Sequence, residues 1–325
     1  MSASTMPAAT PARTLDGRRA LGWLRQYGVY AAIVLVVLVN AVVTPDFLSG
    51  SNARVQLFQV TPVLLVSLGM ALVIGTQGID LSVGAVMALA AALVPLYLGY
   101  GPWVAALVGL VAGAVSGLVA GSLVAVAGVQ PIVATLALMI GVRGVAVIFN
   151  GAQAKPVNDA TIDALGINQV LGVPVMAWLA LGLVLVVAFL VQRTTFGRRL
   201  LAIGDNRAAS QLAGLPVRRI LVVVYVLCGV LAALAGIVAV GHAAEADPAQ
   251  QGLNIELAAI TAVVVGGTPL SGGQVRVLGT VAGAVFMQLV NASLIQHNIP
   301  SSYAEMVEAV IICIAVYAAK ERSSR

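Results

Sequence analysis

Charge is what this chain lacks most. Only 9% of its 325 residues are Asp, Glu, Lys or Arg, while 60% are hydrophobic and the mean hydropathy is +1.03. Soluble domains carry about 25% charged residues, so a water-soluble fold is excluded and an integral membrane protein is expected. Lysine stands only at Lys155 and Lys320, neither within G-x-x-x-x-G-K-[ST], which removes a phosphate-binding P-loop from the chain. Cys228 and Cys313 both lie in apolar runs and read as free buried thiols; neither a disulfide framework nor a cysteine metal site follows. His242 and His297 have no metal-ligand spacing, and H-E-x-x-H and nucleophile-elbow motifs are missing. No catalytic residue and no metal site are therefore assigned. The net charge of +5 and the pI near 9.6 do not indicate nucleic acid, because the basic residues fall between apolar runs, where they act as orientation signals.

What is present is a series of apolar runs. A span needs about 20 apolar residues, and ten candidates occur near 27–43, 58–76, 80–98, 103–126, 130–149, 174–192, 217–240, 256–268, 277–296 and 303–319. The fold class expected is all-α and polytopic, with about ten helices, some short or broken. Met1 to Arg25 is rich in Ala, Thr, Pro and Arg and has no small-residue cleavage site after the first apolar run. Residues 1–26 therefore read as a disordered cytoplasmic tail leading into a retained span. A single membrane domain, 27–319, and a short tail, 320–325, complete the organisation.

Basic residues orient the spans, since Lys and Arg accumulate in cytoplasmic loops. With the N-terminus inside, the inner segments hold Arg13, Arg18, Arg19, Arg25, the six arginines of 193–219, Arg276, Lys320, Arg322 and Arg325, and the outer segments only Arg54 and Lys155. Six spans before the 193–219 loop and four after it place both termini inside. Arg143 alone falls within a span. The outer loops carry Asp46, Asp159, Asp163, Glu245 and Asp247, each read as a solvated loop carboxylate.

Gly109, Gly113, Gly117 and Gly121 recur every fourth residue, a stripe that lets a neighbouring helix approach closely, and Gly279 and Gly283 repeat the theme. Two glycine-rich breaks differ from these: GTQGIDLSVG at 75–84 and GGTPLSGG at 266–273, which share Leu-Ser-x-Gly. Irregular backbone at membrane depth persists only where protein or water satisfies it. Each break is either the lining of a passage or a tight turn at the cytoplasmic face. Ionisable residues in or near spans are few: Asp80, Arg143, Glu256, Glu305 and Glu308. Arg143 is the deepest, and it either pairs with a carboxylate or meets a hydroxylated substrate.

The 193–219 loop, RTTFGRRLLAIGDNRAASQLAGLPVRR, holds a short helix from Asn206 to Ala213. Asp205 or Asn206 can cap its start, Gly214 can end it, and Pro216 prevents continuation. Arg207, Ser210 and Gln211 form a polar face; Ala208, Ala209, Leu212 and Ala213 form a small apolar one. Arginines that only orient a loop need no ordered helix between them, so this element reads as a docking surface for a cytoplasmic partner; a helix lying on lipid headgroups is the other reading.

Several long motifs then resemble one family: GIDLSVGAVMALAA at 78–91, QPIVATLALMIGVRGVAVIFNG at 130–151, TTFGRRLLAIGDNRAASQLAGLPVRRILVVVYVLCGVLAALAGIV at 194–238 and ELAAITAVVVGGTPLSGG at 256–273. The chain resembles the permease subunits of bacterial ABC importers for ribose, galactose, arabinose and xylose. The resemblance covers nearly everything from the second span to the C-terminus, and ADPAQQGLNIELAAITAVVVGG at 246–267 looks most like galactofuranose-type permeases.

That resemblance implies a multi-pass bacterial inner-membrane subunit, not an enzyme. Its expected partners are a second permease copy, ATP-binding subunits and a periplasmic sugar-binding protein. ATP and Mg are expected on the ATPase partner, with no cofactor on this chain. The family's coupling segment falls on Gly204, Asn206, Ala208, Ala209 and Gly214. A neutral sugar calls for hydrogen-bonding side chains, which makes Thr76, Gln77, Asp80, Ser82, Arg143, Asn150, Thr268, Gln288 and Asn291 the candidate path residues. Two alternatives remain: an ion-coupled secondary transporter using Asp80, Arg143 and Glu305, and an ABC permease for branched-chain amino acids or another small metabolite.

Overall fold

A computed structural model describes residues 15–300 together with 302, 303, 306, 307, 309–311 and 313, with side chains from residue 28 onward. Among the described residues up to 300, twelve α-helices follow in order: α1 Leu15–Val43, α2 Gly50–Gly75, α3 Val83–Tyr97, α4 Pro102–Ala125, α5 Pro131–Asn150, α6 Ala160–Ile167, α7 Val175–Arg193, α8 Thr195–Asp205, α9 Arg207–Leu212, α10 Val217–Ala243, α11 Ile255–Val265 and α12 Val277–Gln296. Pro102 and Pro131 open α4 and α5 at the first helical turn, where a missing N–H has no cost.

Among the described residues, seven helices are long and apolar enough to cross a membrane: α2, α3 with the turn that follows it, α4, α5, α7, α10 and α12. These are the second to seventh and the ninth of the ten expected spans. The first and eighth correspond to shorter apolar stretches, Gly28–Val43 and Ile255–Val265. Helix α1 already begins at Leu15, inside the stretch read as a tail. Most of the tenth run, with Glu305 and Glu308, lies outside the described residues.

Helix α10 forms the centre, packed against α2, α3 and α4, while α11 and α12 lean on α2, and α5 flanks α3. The glycine stripe of α4 makes the closest of these contacts possible. A Cβ at Gly117 would overlap the Tyr225 carbonyl, and at Gly121 it would lie 2.8 Å from the Val222 Cα. Gly279 and Gly283 let α12 approach the α11 backbone at Gly266 and Ala262 in the same way. Cys228 is buried as expected, but Cys313 is exposed.

The outer loops are more ordered than their composition suggests. Helix α6 was not expected in the 150–173 segment; Asp159 caps it, accepting from Thr161 and Ile162 N–H groups at 2.9 and 3.2 Å. Lys155 and Pro156 pair antiparallel with Ala246 and Glu245, joining the two outer loops. The structure thus gives Asp159 a capping task where a merely solvated carboxylate was expected.

Candidate functional site

The 193–219 segment folds as two consecutive helices. Helix α8 was not anticipated, because its arginines read as loop charges. Thr194 caps it through the Gly197 N–H at 3.3 Å, and its Gly197, Leu200, Ile203 and Gly204 face is buried while Arg198 and Arg199 are exposed. Helix α9 follows at once. The Asn206 side chain accepts the Ala209 N–H at 2.9 Å, and Gly214 has φ +75, a left-handed conformation that suits glycine at a helix end.

Burial along α9 singles out one residue of the expected polar face. Ser210 is the buried residue, whereas Ala208, Ala209, Gln211 and Ala213 are exposed and Leu212 is 92% exposed. The cause lies in the anchors. The Ser210 carbonyl accepts the Leu215 N–H at 3.0 Å, tying the helix to the turn before α10, so the short helix has to turn its small apolar side outward. An exposed leucine among alanines on a capped helix is a surface shaped for contact.

Beneath α8 the two glycine-rich breaks come together. Gln77, with φ 64, donates its side-chain amide to the Gly204 carbonyl at 2.8 Å and to the Ser271 carbonyl at 2.9 Å. The Gly273 N–H reaches the Gly75 carbonyl at 3.1 Å. Gly204 has to be glycine here: a Cβ would overlap the Gly75 carbonyl and lie 2.6 Å from the Gly273 nitrogen. Gly75 and Gly273 therefore meet beside the arginine-rich loop, joined to it through the Gln77 amide, while the first break runs on to Gly84, which packs against Gly252. Ser271, Gly75 and Gly273 lie in the two breaks marked by sequence, but their meeting was not foreseen, since contacts across nearly two hundred positions leave no local pattern.

The remaining candidates near this junction have local tasks. Asp80 accepts from the Ser82 N–H at 2.9 Å and the Ser82 hydroxyl at 2.6 Å. This is an Asx-type turn that starts α3. Tyr225 fills the space beside Gly78, where a Cβ would lie 2.7 Å from its hydroxyl. The Thr76 hydroxyl donates to the Val73 carbonyl at 2.8 Å, and Thr268 accepts the Arg276 N–H at 3.0 Å.

The other candidates have separate partners. Arg143 donates to the carbonyls of Pro248, Gln251 and Gly252 at 2.9, 3.3 and 3.0 Å, and forms no ion pair among the described residues. Its guanidinium fork fixes the outer loop to α5, so backbone carbonyls supply the acceptors where a carboxylate partner was one expectation. Asn150, buried, donates to Gln153 and Ala246 carbonyls, each at 2.7 Å, and ties α5 to the paired outer loops. Gln288 on α12 donates to the Gln56 and Gln59 side chains of α2 at 3.1 and 2.6 Å, and Asn291 is exposed one turn later.

Comparison with known proteins names the family of this bundle of spans. Residues 54–316 match the family described as branched-chain amino acid transport system / permease component. The chain belongs to this permease family. It is 37% identical to the ribose import permease protein of Escherichia coli (strain K12), over 94% of this chain and 97% of the relative. The galactofuranose transporter permease protein of the same strain is 36% identical over 96% and 94% of the two chains. An L-arabinose ABC transporter permease protein of Azospirillum brasilense is 30% identical over 97% and 93%. No solved structure matches. The permease is accordingly a multi-pass inner-membrane transport protein.

Proposed function

We propose that this permease imports a monosaccharide of the ribose, galactose or galactofuranose, arabinose or xylose class, as the membrane subunit of an ATP-driven importer. The observation that carries this reading is end-to-end similarity to permeases named for ribose, galactofuranose and L-arabinose, each covering more than nine-tenths of both chains. A separate ATPase subunit, with its ATP and Mg, supplies the drive. A periplasmic binding protein delivers the sugar, and a second permease copy completes the passage.

The α9 face is the contact for the ATPase. Closing of the ATPase pushes α9 and α8, and Gln77 carries that displacement to both breaks, and so to α2, α3, α11 and α12. Gly204, Asn206, Ala208, Ala209 and Gly214 serve the contact by shape, as cap, close approach and small exposed surface. Among the path candidates, Gln77, Asp80, Ser82, Thr76 and Thr268 act in transmission, Arg143 and Asn150 hold the outer closure, and Gln288 and Asn291 remain candidates to meet the sugar.

The family description also names branched-chain amino acids, which makes cargo the point to test. Vesicles containing the permease, its ATPase and its binding protein should accumulate labelled ribose, galactose, galactofuranose, arabinose or xylose and exclude leucine. Accumulation of leucine alone would overturn the sugar assignment.

A further inference from the structure

The exposed surface of the bundle is of two kinds. On α4, α5 and α7 the large exposed side chains are apolar, among them Leu107, Val111, Val115, Leu136, Ile140, Leu185 and Phe189, as a lipid-facing wall requires. Between α2 and α12 the pattern changes to amides. Asn52, Gln56 and Gln59 follow one another at spacings of four and three on α2 and therefore share a face. Gln288 and Gln296 of α12 meet them: Gln288 bonds to Gln56 and Gln59, and Gln296 to Asn52 at 3.0 Å. Gln56 donates in turn to Asn52 at 3.3 Å, making a continuous ladder of neutral amides.

The ladder reaches well into the bundle. Gln296 ends α12, and Gln288 lies eight residues earlier, about 12 Å deeper at 1.5 Å per residue, which is near the middle of a hydrocarbon core about 30 Å thick. Gln59 is exposed at that depth, and among the described residues its amide nitrogen and the Gln288 amide oxygen have no partner. Exposed amides at that depth survive only beside water or a polar partner.

The geometry points to this ladder, Gln56, Gln59 and Gln288 with the neighbouring Asn291, as the wall of the passage that contacts a neutral polyhydroxylated substrate. A free donor on Gln59 and a free acceptor on Gln288, side by side, match neighbouring sugar hydroxyls, each of which both donates and accepts. No charged side chain joins the ladder, so nothing in it would compensate the carboxylate and ammonium of an amino acid. The inference rests on the importer reading and extends it to the contact residues.

The test uses the whole assembly in vesicles, with Cys313→Ser and the buried Cys228 left in place. Gln59→Cys and, separately, Asn291→Cys are treated with a charged, water-soluble thiol reagent, with and without ribose, galactose, galactofuranose, arabinose or xylose. Labelling that is slowed by the sugar the assembly takes up, and not by leucine, is expected at one or both positions. Labelling by lipid-soluble reagents only, or labelling indifferent to the transported sugar at both, overturns the assignment. Gln59→Leu should raise the KM of uptake about two- to tenfold, the loss of one neutral hydrogen bond, with ATPase association unchanged; an unchanged KM overturns it too. Uptake of none of these sugars by the unsubstituted assembly overturns the importer reading itself, a separate result.

Discussion

The side-chain amide of Gln77 donates to the carbonyl of Gly204 at 2.8 Å, joining residues 127 positions apart. With its second bond, to Ser271, it connects the end of α8 to both glycine-rich turns. Each such bond is worth about 0.5–1.5 kcal/mol, so the pair holds the junction by about 1–3 kcal/mol. Gln77→Leu should leave the spans folded and the ATPase bound but lower sugar imported per ATP hydrolysed several-fold. Paired measurement of uptake and phosphate release checks this, and an unchanged ratio would remove Gln77 from transmission.

Gly204→Ala tests the same junction by crowding. The added methyl would overlap the Gly75 carbonyl, and overpacking of this kind costs about 1–3 kcal/mol. The expected outcome is a lower thermal unfolding temperature and uncoupled hydrolysis, whereas Gly214→Asn, at an open left-handed position, should be nearly neutral in both assays.

On the α9 surface, Leu212→Glu and Ala209→Glu should each reduce copurification of the ATPase without altering unfolding, because both side chains are exposed. Asn206→Ala should act differently, fraying α9 by about 0.5–2 kcal/mol through loss of its cap. Normal copurification in all three would detach α9 from the motor.

Arg143→Lys should loosen the outer loop. A lysine cannot reproduce the planar fork that reaches the carbonyls of Pro248, Gln251 and Gly252. Faster protease cleavage within 247–254 is the expected outcome, and an unchanged rate would show that the carbonyl contacts do not hold the loop.

Much of this architecture is legible in sequence because membrane insertion leaves strong signals. Apolar length locates the seven full spans, the glycine stripe of α4 announces its contact with α10, and Asn206 with Gly214 marks α9. What escapes is what depends on distance. The amide of Gln77 has no local partner to betray its bonds to Gly204 and Ser271. Helix α6 is too short for a periodic signal, and α8 is obscured by arginines that serve topology equally well. The burial of Ser210, placed on the polar face by sequence, was not foreseen; in a six-residue helix the anchors decide which side turns inward. The amide ladder was within reach, since Asn52, Gln56 and Gln59 repeat at helical spacing, but its meaning needed α12 beside it.

The most direct measurement of the central claim is the energy source for uptake in vesicles containing the permease, its ATPase and its binding protein. The account predicts sugar accumulation that requires hydrolysable ATP on the ATPase side and vanishes in the Ala209→Glu variant. Accumulation by the permease alone, driven by a proton or sodium gradient, would contradict it.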